Sequence, residues 1–190
     1  MNLTKILSIV FFVIAIGMAY YLIDRINYAI QEEDRIARAE RSVIQRLQMI
    51  RDAQIAYQAV HRQYTDDWNA LLRFVEEGRI FITQRRETII PLEYGADSVV
   101  VQIDTLGSVP VKDSLFNERR YPNFSLERMP YIPGSDKRFE LFADKITRGG
   151  VRVDVFEARD VDPINPRRRE RDNPLRVGSR TEVTTAGNWE

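Results

Sequence analysis

The chain has 190 residues with 28 basic and 28 acidic side chains, so its net charge is zero and nothing draws it generally toward nucleic acid. One histidine and no cysteine leave out the usual nucleophiles and metal ligands, and exclude a disulfide or a lipid-modified cysteine anchor. With an apolar N-terminal segment set aside, the remainder suffices for one modest domain and hardly two.

Residues 1–5 form a short tail ending in Lys5, and 6–23 is an apolar run free of charge. At about 1.5 Å per helical residue this run reaches roughly 27 Å, close to the hydrocarbon thickness of a bilayer. Ile6, Val10, Phe11, Phe12, Ile14 and Ile23 contribute to it, and Tyr20 and Tyr21 stand where interfacial anchors belong. The preferred reading is an uncleaved signal anchor in contact with inner-membrane lipid. The alternative is a signal peptide cut after Gly17-Met18-Ala19, against which the apolar run continues to Ile23. Basic residues alone (Lys5 before the run; Arg25, Arg35 and Arg38 after it) place the C-terminal part in the cytoplasm. The signal-like N-terminus places it in the periplasm, and this is given more weight.

No Gly or Pro follows until well beyond residue 62, so the same helix is expected to leave the membrane as a stalk over 24–42 and enter a domain over 43–160. Ile36, Val43, Leu47, Ile50, Tyr57 and Val60 fall at helical spacing on one face. Glu40, Gln54 and His61 interrupt that stripe, which argues against a long coiled coil. Its upper half reads as a core helix, with Ile44 and Ile55 implying wider coverage; the alternative is a seam for a partner helix. The helix is expected to stop near His61-Arg62-Gln63. Thr65 then caps a second helix whose apolar face is Trp68, Leu71, Leu72 and Val75, and Gly78 ends it.

Beyond residue 78 the period changes to that of strands. Runs at 79–83, 98–104 and 108–113 read as short strands, and 138–147 with 151–159 as a hairpin across Arg148-Gly149-Gly150. Phe139, Leu141 and Ala143, and likewise Val151, Val153 and Val155, are expected on its buried face. Residues 114–134, with Phe116, Tyr121, Phe124, Met129 and Tyr131, read as an apolar loop over the core or as a partner surface. The Arg/Pro-rich tail, 161–190, is expected to be mobile over 163–172. Its arginines Arg167, Arg168 and Arg169 are candidates for lipid phosphate or an acidic partner. Val177 and the terminal Trp189 are expected to return to an apolar surface, within the domain or on a partner.

The stretch IRDAQIAYQAVHRQYTDDWNALLRFVEEGRI (50–80), with VKDSLF (111–116) and VGSRTEVTTAGNWE (177–190), resembles an uncharacterised family of single-pass envelope proteins from Bacteroidota. It is similar more loosely to pilins and pseudopilins, in which a long N-terminal helix, half in the membrane, leads into a sheet. The Gly and Glu that mark prepilin processing are absent. The resemblance implies a shape and a compartment.

No Gly-rich phosphate loop, Cys–His or Ser–His–Asp set, or metal-ligand spacing occurs. The pairs Glu32-Glu33, Asp66-Asp67, Glu76-Glu77 and Asp160/Asp162 lie in segments that read as exposed, where carboxylates keep ordinary acidity. No enzyme activity, cofactor, metal, nucleic acid or small-molecule substrate is therefore expected. The fold expectation is α+β: a transmembrane helix continuing into a long amphipathic helix on a small antiparallel sheet, pilin-like. The functional expectation is a structural or assembly subunit of an envelope machine for secretion, motility or pilus-like assembly. It would contact other subunits or further copies of itself through Ile36, Val43, Tyr121, Phe124, Tyr131, Arg167, Arg168, Arg169 and Trp189. The alternative is a membrane-tethered periplasmic ligand-binding or sensory domain.

Overall fold

The structure, a computed structural model, describes residues 3–91, 97–122 and 124–190. One helix, α1 (Leu3–His61), runs unbroken for 59 residues. No glycine or proline falls in its second half, so the backbone has no reason to stop before the domain ends it. Every residue over 11–30 is exposed, and burial begins in earnest at Val43. From there Val43, Leu47, Ile50 and the amide of Gln54 descend one face. Met49, Ala53 and Ala56 widen it, while Ile55 (42% exposed) and Val60 (37%) face away, contrary to the width inferred from Ile55.

At Arg62 the chain turns through a left-handed conformation (φ 62°). Helix α2 (Trp68–Glu77) then packs Leu71, Phe74 and Val75 against α1. Its cap is Asp67, whose carboxylate accepts from the Asn69 N–H at 2.9 Å, two residues later than expected. Thr65 is engaged elsewhere, accepting from the Asp67 N–H through Oγ1 and pairing its own backbone with Gln54. Gly78 ends α2 in an extended conformation, and only glycine fits there because a Cβ would collide with the Phe74 carbonyl oxygen.

Among the described residues there are two sheets, where one was expected. Strands β1 (Arg79–Pro91) and β2 (Asp97–Pro110) form an antiparallel two-stranded arm with a bulge beside Ile82. The expected strand at 108–113 is divided: 108–110 completes β2, and α3 (Val111–Leu115) follows. Pro110 causes the change, since its fixed φ of −58° ends the ladder and leads directly into a helical turn. The second sheet is β3 (Glu140–Arg148), β4 (Val151–Arg159) and β5 (Arg176–Gly178), in that order. The hairpin turns at Gly149 and Gly150, at φ 57° and 81°, while Arg148, expected in the connection, is the last residue of β3 and pairs with Val151.

The inner face of this sheet carries Leu141 on β3, Phe156 and Ala158 on β4, and Val177 on β5, all packed into the core with α1 and α2. The face expected for β4 is thus reversed. Val155 is buried on the outer side, and Val151 is 63% exposed. Arg180 makes the outer side coverable: its guanidinium bonds Glu157 at 2.8 Å and Glu140 at 3.0 Å and lies over the Phe142 ring. The loop after α3 closes the core with Phe116, Tyr121, Met129, Ile132 and Phe139.

The C-terminal segment is folded, a correction to the mobile tail expected over 163–172. Asn165 caps α4 (Pro166–Glu170) by accepting from the Arg167 N–H at 3.0 Å, with Pro166 in the first turn. Leu175 and Val177 are fully buried, and Gly187 bridges back to Val177. Trp189 packs on the core, as expected, and within its own chain; a Cβ at Gly187 would collide with its ring. Trp189→Ala is expected to lower the full-length protein's stability by about 1–2 kcal/mol, in keeping with half-burial of a large aromatic. An unchanged melting temperature on thermal denaturation counts against that docking.

Candidate functional site

Polar residues of α1, Glu40 and Gln54 in its apolar stripe and Asp52 beside it, are where the rest of the domain is hooked onto it. Tyr121 donates its hydroxyl to Asp52 at 2.9 Å, and Arg120 reaches the same carboxylate oxygen at 2.8 Å. Burial first, then the Asp52 charge, pushes the Tyr121 phenol up to about 12. His61 lies tilted against the Tyr57 ring (centroids 4.3 Å) and edge-on to Phe74 (5.5 Å), a packing role. Glu40 receives the Arg168 Nε–H at 2.7 Å and the Asn165 amide at 2.9 Å, so α4 is clipped to α1 below the core. Arg167 adds a looser contact to Glu33 at 3.9 Å.

Between this clip and the strand ends lies an open cleft of about 640 Å³, bordered by Lys137, Arg159, Asp160, Asp162, Arg168 and Arg169. Most of its charges are already matched: Lys137 and Arg169 to Asp162, Arg159 to Asp172, and Arg168 to Glu40. Asp160 is the exception. It is 3% exposed, and its carboxylate accepts one hydrogen bond, from the Asp162 N–H at 2.8 Å. The expectation of an ordinary exposed pair therefore holds for neither member. Burial raises the Asp160 pKa, with Asp162 and Glu40 adding to it, while hydrogen bonds from Ser135 and Lys137 lower that of Asp162. The burial of Asp160 was not legible in the sequence, because the chain returns over it only at Leu175, whose carbonyl accepts the Asp160 N–H.

A carboxyl whose folded pKa is raised binds its proton more readily folded than unfolded. Its penalty is absent below the unfolded value near 3.8 and is fully incurred above the raised folded value. Asp160→Asn keeps the acceptor for the Asp162 N–H without the charge. The variant is expected to melt higher than the parent at pH 7 and to converge with it below about pH 4. A parallel pair of melting curves across that range removes the idea.

Several proposed contact residues are used internally. Val43 and Tyr121 are core residues at 3% and 5% exposure, Phe124 stacks on Phe116 at 4.3 Å, Arg168 is committed to Glu40, and Trp189 lies on the core. Ile36 is half-buried. Tyr131, with Arg138 over its ring, and Arg167 and Arg169 present open surface. Among the described anchor residues, Phe11, Phe12, Ile14, Tyr20, Tyr21 and Ile23 are all more than half exposed. Ile6 and Val10 fall in α1 by backbone, but their side chains lie outside the described residues. No group of three or more His, Cys, Asp or Glu residues suited to a metal occurs among the described residues.

The fold thus defines a class: an α+β domain carried on a helix with one N-terminal stretch long and apolar enough to cross a membrane. Comparison with protein-family models, curated proteins and solved structures gives no match in any of the three.

Proposed function

We propose that this chain is a single-pass inner-membrane protein whose pilin-like domain stands in the periplasm as a structural or assembly subunit of a bacterial envelope machine. The observation that carries this reading is the division of α1. Over 11–30 it is bare of any cover from the chain's own domain, while its last part is the core helix of that domain, with no break between. A bare apolar helix is unfavourable in water and suited to lipid. The exposed tyrosines 20, 21 and 28 flank the charged step Asp24-Arg25, as interfacial aromatics do. A span continuing rigidly into a core fixes the domain's height and rotation above the membrane, which suits a part of an assembly.

The direct test is fractionation with co-purification. The protein is expected to leave membranes only with detergent and to bring stoichiometric partners with it. Ile14→Arg, near the centre of the span, is expected to cost about 2.5–3.5 kcal/mol of insertion and to shift protein out of the membrane fraction. Recovery of the parent protein in buffer without detergent, or activity of a cytoplasm-specific reporter alone when fused after Glu190, rejects the proposal.

A further inference from the structure

The arm formed by β1 and β2 is a sheet of its own. Among the described residues these strands pair only with each other, from Arg79↔Pro110 to Pro91↔Asp97. About half of the N–H and C=O groups of each strand therefore point away from the ladder. At the base of the arm Phe81, Ile82 and Leu106 are 61%, 48% and 65% exposed, so the domain covers neither of its faces there. Two-stranded ribbons of this kind are marginal alone and are stabilised by added strands.

The two edges are not alike in sequence. β1 carries Arg79, Arg85, Arg86 and Glu87, the charges that usually keep an edge from pairing. The stretch 98–103 of β2 reads SVVVQI, with no charge, proline or glycine. It is also self-complementary. About a twofold axis through Val100, an antiparallel copy sets Ser98 opposite Gln102, Val99 opposite Val101 and Val100 opposite itself. Polar residues meet polar ones, β-branched residues meet β-branched ones, and no like charges oppose each other.

We infer that the outer edge of β2 pairs with the same edge of a second copy of this chain, joining two arms into one four-stranded antiparallel sheet. An edge-to-edge contact is small compared with ordinary stable interfaces, so the dimer is weak in dilute solution. It is favoured where copies share a membrane and their effective concentration is high. In that respect the inference rests on the membrane reading, and it deepens it by naming one partner.

The chain has no cysteine, so a single introduced one reports unambiguously. Residues facing each other across an antiparallel pair have Cα atoms about 4.5–5.5 Å apart, within disulfide reach. Full-length Val100→Cys, oxidised in native membranes and after purification in mild detergent, is expected to run mainly as a covalent homodimer. Arg86→Cys on β1 is expected to remain monomeric. The double variant Val99→Lys/Val101→Lys places like charges across the axis. Added to Val100→Cys, it is expected to abolish the covalent dimer in oxidised native membranes, with a melting temperature within about 2 °C of the parent, which excludes unfolding as the cause. Val100→Cys that stays monomeric, or that links to a different protein in membranes, overturns the inference. So does a lysine variant that remains dimeric. Fractionation into the membrane is read separately, so failure of the anchor and failure of the arm contact are distinguishable.

Discussion

Gln54→Leu is expected to cost the folded domain about 3 kcal/mol, the largest loss from any single polar side chain on α1. Gln54 is completely buried, and its amide is used at both ends. Nε2 donates to the Thr65 carbonyl at 2.6 Å, and Oε1 accepts the Thr65 N–H at 3.1 Å. The side chain thus stands in for a strand or helix partner exactly where the backbone has none, between α1 and the cap of α2. Leucine fills a similar volume but leaves a buried donor and a buried acceptor unpaired, at about 1–3 kcal/mol each, offset in part by its better burial. For a domain of this size the melting temperature should fall by roughly 6–12 °C. Gln54→Glu keeps the acceptor but places a charge in the core, and is expected to be no better tolerated. A Gln54→Leu protein melting within about 2 °C of the parent would falsify the pairing, by showing that water or a shifted turn satisfies Thr65.

That residue also marks how far the sequence could be read. The long helix, its stop at His61, the apolar face of α2 and the two-glycine hairpin were legible, because each depends on local spacing and backbone preference. Glu40 and Gln54 were legible only as flaws in a stripe, and Asp52 only as a charge off it. Their partners, Arg168, Tyr121 and Thr65, come from three other segments, two of them more than sixty residues away in the chain. The side of β4 that faces inward was misread for a related reason. Both of its faces are covered, one by the core and the other by Arg180 and Phe142, so alternation carries little information there. The tail was misread because Asn165-Pro166 can break a structure or start a helix. What decides is Glu40, waiting on α1.

Arg168→Ala is expected to cost about 2–3 kcal/mol and to free α4 from α1. The pair it breaks is largely enclosed: the Arg168 and Glu40 side chains are 23% and 20% exposed, and Nε lies 2.7 Å from the carboxylate. Removing one partner of a fully buried pair costs about 3–5 kcal/mol, since the other is left charged out of water; the residual exposure here lowers that figure. The Asn165 amide remains on Glu40, but the buried Asp160 nearby makes an unpaired second carboxylate unwelcome. Replacing both members, Glu40→Leu with Arg168→Met, removes the stranded charge as well as the attraction. The double variant should recover most of the stability, so that a double-mutant cycle shows strong coupling. Trypsin gives a local reading, because Arg167, Arg169 and Arg171 offer cleavage points in and beside α4. Cleavage there should be slow in the parent, fast in Arg168→Ala and intermediate in the double variant. If Arg168→Ala melts and digests like the parent, the clip contributes nothing, and the segment 160–175 is held instead by Leu175 and the β5 pairing alone.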